Sequence, residues 1–127
     1  MARFLWICAA GAAGTGARYL LSTWLSRFAG PAFPWGTLAV NLLGSFLLGA
    51  IMEIGLTTAI LSPGLRLTLA TGLMGGFTTY SSFNYETLQY LQSDSWLLAA
   101  ANVGATVAGC LAAGTLGVWA GKLLVGR

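Results

Sequence analysis

The sequence predicts an all-α integral membrane protein with four membrane-spanning helices, and three observations carry that prediction. Of the 127 residues, 57% are hydrophobic and only 7% charged, against roughly 25% charged in a soluble domain. A chain of this size leaves much of its surface outside any core, so the surplus apolar surface requires lipid as its solvent. Four apolar runs each reach the roughly 20 residues that cross a bilayer. Finally, Trp6, Trp24, Trp35, Trp96 and Trp119 all fall near the ends of those runs, where an indole ring sits well at headgroup level. Core packing in a soluble bundle is the competing explanation of the tryptophans, and four consecutive runs of this length speak against it.

The spans cover approximately residues 4–28, 35–61, 65–91 and 96–125, and residues 1–127 form a single four-helix transmembrane domain. Gly30-Pro31-Ala32-Phe33-Pro34 separates the first two spans, and Ser62-Pro63-Gly64 the second from the third. Proline lacks an amide hydrogen and clashes with the preceding turn, so it ends helices. Gln92-Ser93-Asp94-Ser95, the most polar stretch, separates the last two. The apolar pattern that follows Arg3 continues past any cleavage site to Phe28, which argues against a cleaved signal peptide. Gly11, Gly14, Gly104, Gly109, Gly117 and Gly121 are expected to let helices approach closely in lipid. The termini and the second connection share one side of the membrane. That side holds Arg3, Arg66, Lys122 and Arg127, and the other holds Arg27. The bias modestly favours cytoplasmic termini, and the expected location is the inner (plasma) membrane, crossed several times.

Whole function classes lack raw material. The chain has no His and only two Cys, which leaves almost no raw material for zinc sites, imidazole-based catalysis or a disulfide scaffold. No nucleophile–base pair suggests an enzyme. The six basic residues are scattered and form no stripe of the kind nucleic acid needs; they read as membrane-edge anchors. Cys8 and Cys110 read as buried small apolar residues.

Polar residues at membrane depth mark pathways or structural pairs. Arg18 lies deep in the first span, where it either neutralises helix C-terminal carbonyls or snorkels, or else attracts an anion. Asn41, early in the second span, is either glue between helices or a donor that replaces water around an ion. The third span is the sharpest signal. Gly72, Gly75 and Gly76 are followed by Thr78, Thr79, Ser81 and Ser82, and each glycine costs a helix about 1 kcal/mol relative to alanine. A helix broken there exposes backbone that is tolerated in a membrane only when buried in protein or lining a cavity. Broken mid-membrane helices commonly bind ions; a glycine-lined packing face with back-bonded hydroxyls is the alternative. Tyr80 and Phe83 share a face of the second half-helix, and their ring edges carry the positive part of the aromatic quadrupole. Asn102, Thr106 and Cys110, at steps of four, make a thin polar stripe on the fourth span. Glu53 and Glu86 read as interfacial charges near span ends.

These pieces, in this order, resemble the Fluc (CrcB-type) fluoride channels over nearly the whole chain. Three motifs carry the resemblance: Gly14-Thr15-Gly16-Ala17-Arg18, the G-T-L-x-V-N run from Gly36 to Asn41, and the G-G-x-T-T-x-S-x-F run from Gly75 to Phe83. The resemblance implies an antiparallel, dual-topology homodimer with two fluoride pores, each built from both subunits. It implies that Asn41 is a polar pore residue, and that Tyr80 and Phe83 form an aromatic box beside Ser81 and Ser82. Asn102 and Thr106 match its polar track. It further implies a structural sodium ion at the dimer centre, held by the main-chain carbonyls of Gly75 and Thr78. Tyr80 stands where the family usually has Phe, and Ser82 where Thr is common. The implied function is passive export of cytoplasmic fluoride, and the implied partners are the bilayer and a second copy or a closely related paired chain. Two other readings compete. A small four-helix multidrug exporter needs a carboxylate in its first span, which has Arg18 instead. A non-transporting membrane subunit predicts no ion flux from the purified chain.

Overall fold

The computed structural model describes residues 1–126; Arg127, counted above among the terminal cations, lies outside the described residues. In chain order the elements are α1 (Ala2–Ala29), α2 (Trp35–Thr57), α3 (Pro63–Leu67), a π-helical stretch (Thr68–Met74), α4 (Gly75–Phe77), α5 (Tyr80–Gln92) and α6 (Trp96–Leu124). With 28, 23 and 29 residues, α1, α2 and α6 are about 42, 35 and 43 Å long at 1.5 Å per residue. These three helices are long and apolar enough to cross a membrane, and the chain is membrane-integral. The segment between α2 and α6 is divided. Its helix stops after Phe77, Thr78 and Thr79 are extended, and α5 begins at Tyr80.

The ends of these helices follow from local chemistry. Helix α2 stops at Thr57, short of residue 61 where the apolar run ends. There the Thr57 and Thr58 hydroxyls donate back to the carbonyls of Glu53 and Ile54 at 2.6 and 2.7 Å. Arg66 Nη1 donates to the Gly55 carbonyl at 2.6 Å, placing a cation on the negative end of the helix. Ser62 caps α3 by accepting from the Leu65 amide, with Pro63 in the first turn. Asp94 takes a left-handed backbone with φ 57° between α5 and α6, a conformation Asp tolerates.

Helix α6 packs along α2, and α1 packs along the π-helical stretch and α4. Both pairs approach to backbone contact. A Cβ on Gly117 would collide with the Phe46 carbonyl oxygen, and one on Gly14 with that of Leu73. Lipid supplies no hydrophobic drive between helices, so this close backbone packing holds them together. At Gly104 nothing of the same chain lies within 4 Å. The buried core is small: Val40, Met74 and Phe77, flanked by Leu21, Ile51 and Leu73. All five tryptophans are exposed on the chain's outer surface, which suits the headgroup reading and not core packing. Cys110 is half-buried, but Cys8 is exposed rather than buried; on a membrane helix an outward face meets lipid, where a small apolar thiol is at home.

Candidate functional site

The interruption at Thr78 and Thr79 is held open by one side chain. The Thr79 amide donates to Asn41 Oδ1 at 2.7 Å, and Asn41 Nδ2 donates to the Thr79 carbonyl at 3.0 Å. Asn41 and Thr79 are each only 7% exposed, so this two-point clasp satisfies backbone groups that would otherwise be orphaned in an apolar interior. An asparagine amide has two N–H donors, and the clasp takes one. The Thr79 side chain then starts α5: its Oγ1 accepts from the Ser82 amide at 3.2 Å and donates to Ser82 Oγ at 3.0 Å, with Ser81 Oγ 3.3 Å away.

Beside the clasp lies a cavity of about 320 Å³ lined by Asn41, Thr78, Tyr80, Phe83, Thr106 and Cys110 together with Gly44, Ser45, Leu48 and Val107. The sequence-predicted Asn41, Tyr80, Phe83 and Thr106 therefore meet at one place. The Tyr80 and Phe83 rings are 5.6 Å apart at 59°. Phe83 is buried, whereas Tyr80 is 77% exposed on the single chain. Thr106 is buried and its Oγ1 has no hydrogen-bond partner. Asn102, one turn earlier on α6, does not line this cavity. It is 1% exposed and donates to Thr87 Oγ1 at 2.9 Å, fastening α6 to α5.

A second, polar cavity of about 540 Å³ is lined by Ser22, Thr23, Ser26, Arg27, Pro34, Gly36, Thr37, Ser82 and Glu86. Pro34 immediately precedes α2, Thr37 lies in its first turn, and Asn41 follows one turn deeper. The polar cavity thus lies at the start of α2, and the cavity beside Asn41 lies deeper along the same helix. Ser82 lines the polar cavity, and its neighbour in sequence, Phe83, lines the cavity beside Asn41. Thr37 Oγ1 donates to Glu86 Oε1 at 2.5 Å, and Glu86 Oε2 is buried without a partner. Arg18 is half-buried one turn before Ser22 on α1, and its Nε is also buried and unpartnered. Ser81 is exposed and outside both linings.

The interruption also frees carbonyls. In an unbroken helix the Gly75 carbonyl would accept from the Thr79 amide and the Thr78 carbonyl from that of Ser82. Both donors are engaged elsewhere, on Asn41 Oδ1 and Thr79 Oγ1. A Cβ on Gly75 would meet nothing within 4 Å, so this backbone borders open space. Two released carbonyls at one break are the donor chemistry that unwound membrane helices offer to sodium.

The profile of the family described as CrcB-like protein, Camphor Resistance (CrcB), matches residues 5–118. The chain belongs to the CrcB-like family. Among its relatives, the fluoride-specific ion channel FluC of Sorangium cellulosum (strain So ce56) is 57% identical over 125 residues, covering 98% of each chain. The protein of that name from Anaeromyxobacter dehalogenans (strain 2CP-1 / ATCC BAA-258) is 58% identical over 113 residues, covering 89% of this chain and 90% of its own. That from Geobacter sulfurreducens (strain ATCC 51573 / DSM 12127 / PCA) is 50% identical over 121 residues, covering 95% and 94%. This CrcB-like chain is accordingly not an enzyme.

Within the CrcB-like chain, sequence reasoning missed Thr79 and Thr37. Thr79 was one hydroxyl among several, and its part is set by a partner 38 residues away. Thr37 had a signal, since it lies four residues before Asn41 and shares its helix face. Glu86 fits its reading as a charge near a helix end only in part, because Thr37 binds it inside the polar cavity.

Proposed function

We propose that the chain is a subunit of a fluoride-selective passive channel that exports cytoplasmic fluoride. The names of its relatives support the ion, and the cavity beside the Asn41–Thr79 clasp carries the reading. Fluoride is small and strongly hydrated, so a pore must offer donors in place of water. Asn41, Thr106, Tyr80 and Phe83 all line that cavity; in this reading the second Nδ2 hydrogen of Asn41, the unpartnered Thr106 hydroxyl and the two ring edges are the groups that meet the ion. None carries a formal charge, which binds the ion well enough to enter yet weakly enough to leave. Ser82 lines the polar cavity, from which the ion would pass on to Asn41, and the half-buried Arg18 guanidinium supplies a positive potential that draws an anion inward. Ser81 supports the start of α5, and Asn102 supports the path from behind through Thr87.

The single chain forms only half of each pathway in this reading. The segment from residue 63 to 92 is its fourth membrane crossing, broken at Thr78 and Thr79. The exposed Tyr80 and the open space at Gly75 fit a second copy placed antiparallel by a two-fold axis, giving two pores. The Gly75 and Thr78 carbonyls of both copies would then hold a structural sodium ion, which supplies fixed positive charge at the dimer centre. Fluoride and chloride release from liposomes holding the purified protein, with a potassium ionophore present, tests the function. Rapid fluoride release without chloride release is expected. No fluoride release from folded dimers, or equal release of both ions, would overturn the proposal.

A further inference from the structure

At the end of the molecule away from the polar cavity, the start of α1 and the turn into α3 enclose a groove of about 450 Å³. It is lined by Arg3, Trp6, Gly64, Leu65 and Thr68. Gly64 leaves its floor bare, and a Cβ there would lie 3.9 Å from Arg3 Nε, so the guanidinium stands over that floor. The neighbouring Arg66 is engaged with the Gly55 carbonyl, and the Thr68 hydroxyl with that of Gly64 at 3.0 Å. Arg3 is therefore the charge this groove offers. No acidic residue lines it: the chain has only Glu53, Glu86 and Asp94, and Glu53 packs against Gly121 on α6. The rest of the wall is indole and leucine, with Trp6 67% and Leu65 45% exposed.

We propose that this groove binds one anionic phospholipid, its phosphate on Arg3 and the upper part of an acyl chain along Trp6 and Leu65. The guanidinium fork matches phosphate oxygens in two-point geometry. An indole at the membrane edge sits where headgroup gives way to acyl chain. A cation over an apolar slot is complementary to a molecule with an anionic head and an apolar tail, and the membrane surrounds the site with such molecules. This site needs only a membrane-integral chain and stands apart from the fluoride reading.

Native mass spectrometry of the full chain in detergent, with phosphatidylglycerol or phosphatidylcholine added, tests the proposal. One basic residue at a membrane surface favours an anionic lipid by about fivefold, so retention of phosphatidylglycerol over phosphatidylcholine by about that factor is expected. Arg3→Gln should abolish the preference, and Gly64→Leu, which fills the floor, should reduce retention of both lipids. Lys122→Gln removes the same charge from the same end of the molecule and should keep the preference. Equal retention of the two lipids by the unsubstituted protein overturns the proposal. So does an equal loss in Lys122→Gln, which would mean general surface charge. Displacement by inorganic phosphate also overturns it, because the site would then bind a free anion.

Discussion

In the proposed channel Asn41 has two tasks, and they separate under substitution. Its Oδ1 and one Nδ2 hydrogen hold Thr79, which leaves one hydrogen for the cavity. Asn41→Asp keeps the acceptor but turns a carboxylate oxygen on the Thr79 carbonyl and places negative charge beside the path. Losing that bond costs about 1–3 kcal/mol of stability, readable by thermal unfolding in detergent. Fluoride efflux from liposomes should fall more than tenfold, by repulsion between like charges; unchanged efflux would remove Asn41 from the lining. Tyr80 separates ring from hydroxyl. Tyr80→Phe keeps the ring that lines the cavity and, in the proposed channel, should conduct within about threefold of the parent, whereas Tyr80→Ala should lose most conduction, since only the ring presents a positive edge. A large loss in Tyr80→Phe would show that the hydroxyl, not the edge, meets the anion. Asn41, Phe83 and Thr106 could be picked out of the sequence because polar or aromatic residues stand out within apolar helices. The place of Thr79 could not, because its amide and hydroxyl acquire their roles only once α2 brings Asn41 to the break.

The three long helices were legible because lipid forces long apolar runs, and proline, glycine and polar clusters mark their ends. The close approaches were half legible. Small residues advertise contact in a membrane, but only three-dimensional packing tells a glycine under a neighbouring backbone from one in open space. The π-helical turn at Thr68–Met74 had no signal in residue type. It brings Gly72 against α1, where a Cβ would lie 2.7 Å from the Ile7 carbonyl oxygen, and such turns frequently occur at functional sites. Gly14 and Gly104 test this distinction as a pair. Gly14→Ala drives a methyl into the Leu73 carbonyl and forces α1 off the segment that carries the break, costing about 1–3 kcal/mol. Gly104→Ala meets no neighbour on its own chain and gains up to about 1 kcal/mol of helix propensity. Thermal unfolding of the two variants should therefore shift in opposite directions. A stable Gly14→Ala would mean that the α1 contact is looser than described.

For the whole molecule, the question is how copies are inserted. One end carries Arg3, Arg66 and Lys122, the other Arg27, and basic residues favour the cytoplasmic side. A single orientation would leave that imbalance across the membrane, whereas an antiparallel pair presents the same set to both faces. The bias among the described cations is modest, and one of them, Arg66, is already engaged with the Gly55 carbonyl, so the proposed dual insertion meets only a weak charge preference. Ser93, exposed in the turn between α5 and α6, reports the outcome. In a chain with Cys8 and Cys110 replaced by serine, Ser93→Cys should react in intact cells with a membrane-impermeant maleimide to about half its content, as a two-fold antiparallel pair requires, and fully once the membrane is permeabilised. Labelling of all copies or of none before permeabilisation would fix one orientation. The exposed face at Tyr80 and Gly75 would then need a related chain inserted the other way, and liposomes holding this chain alone would release no fluoride.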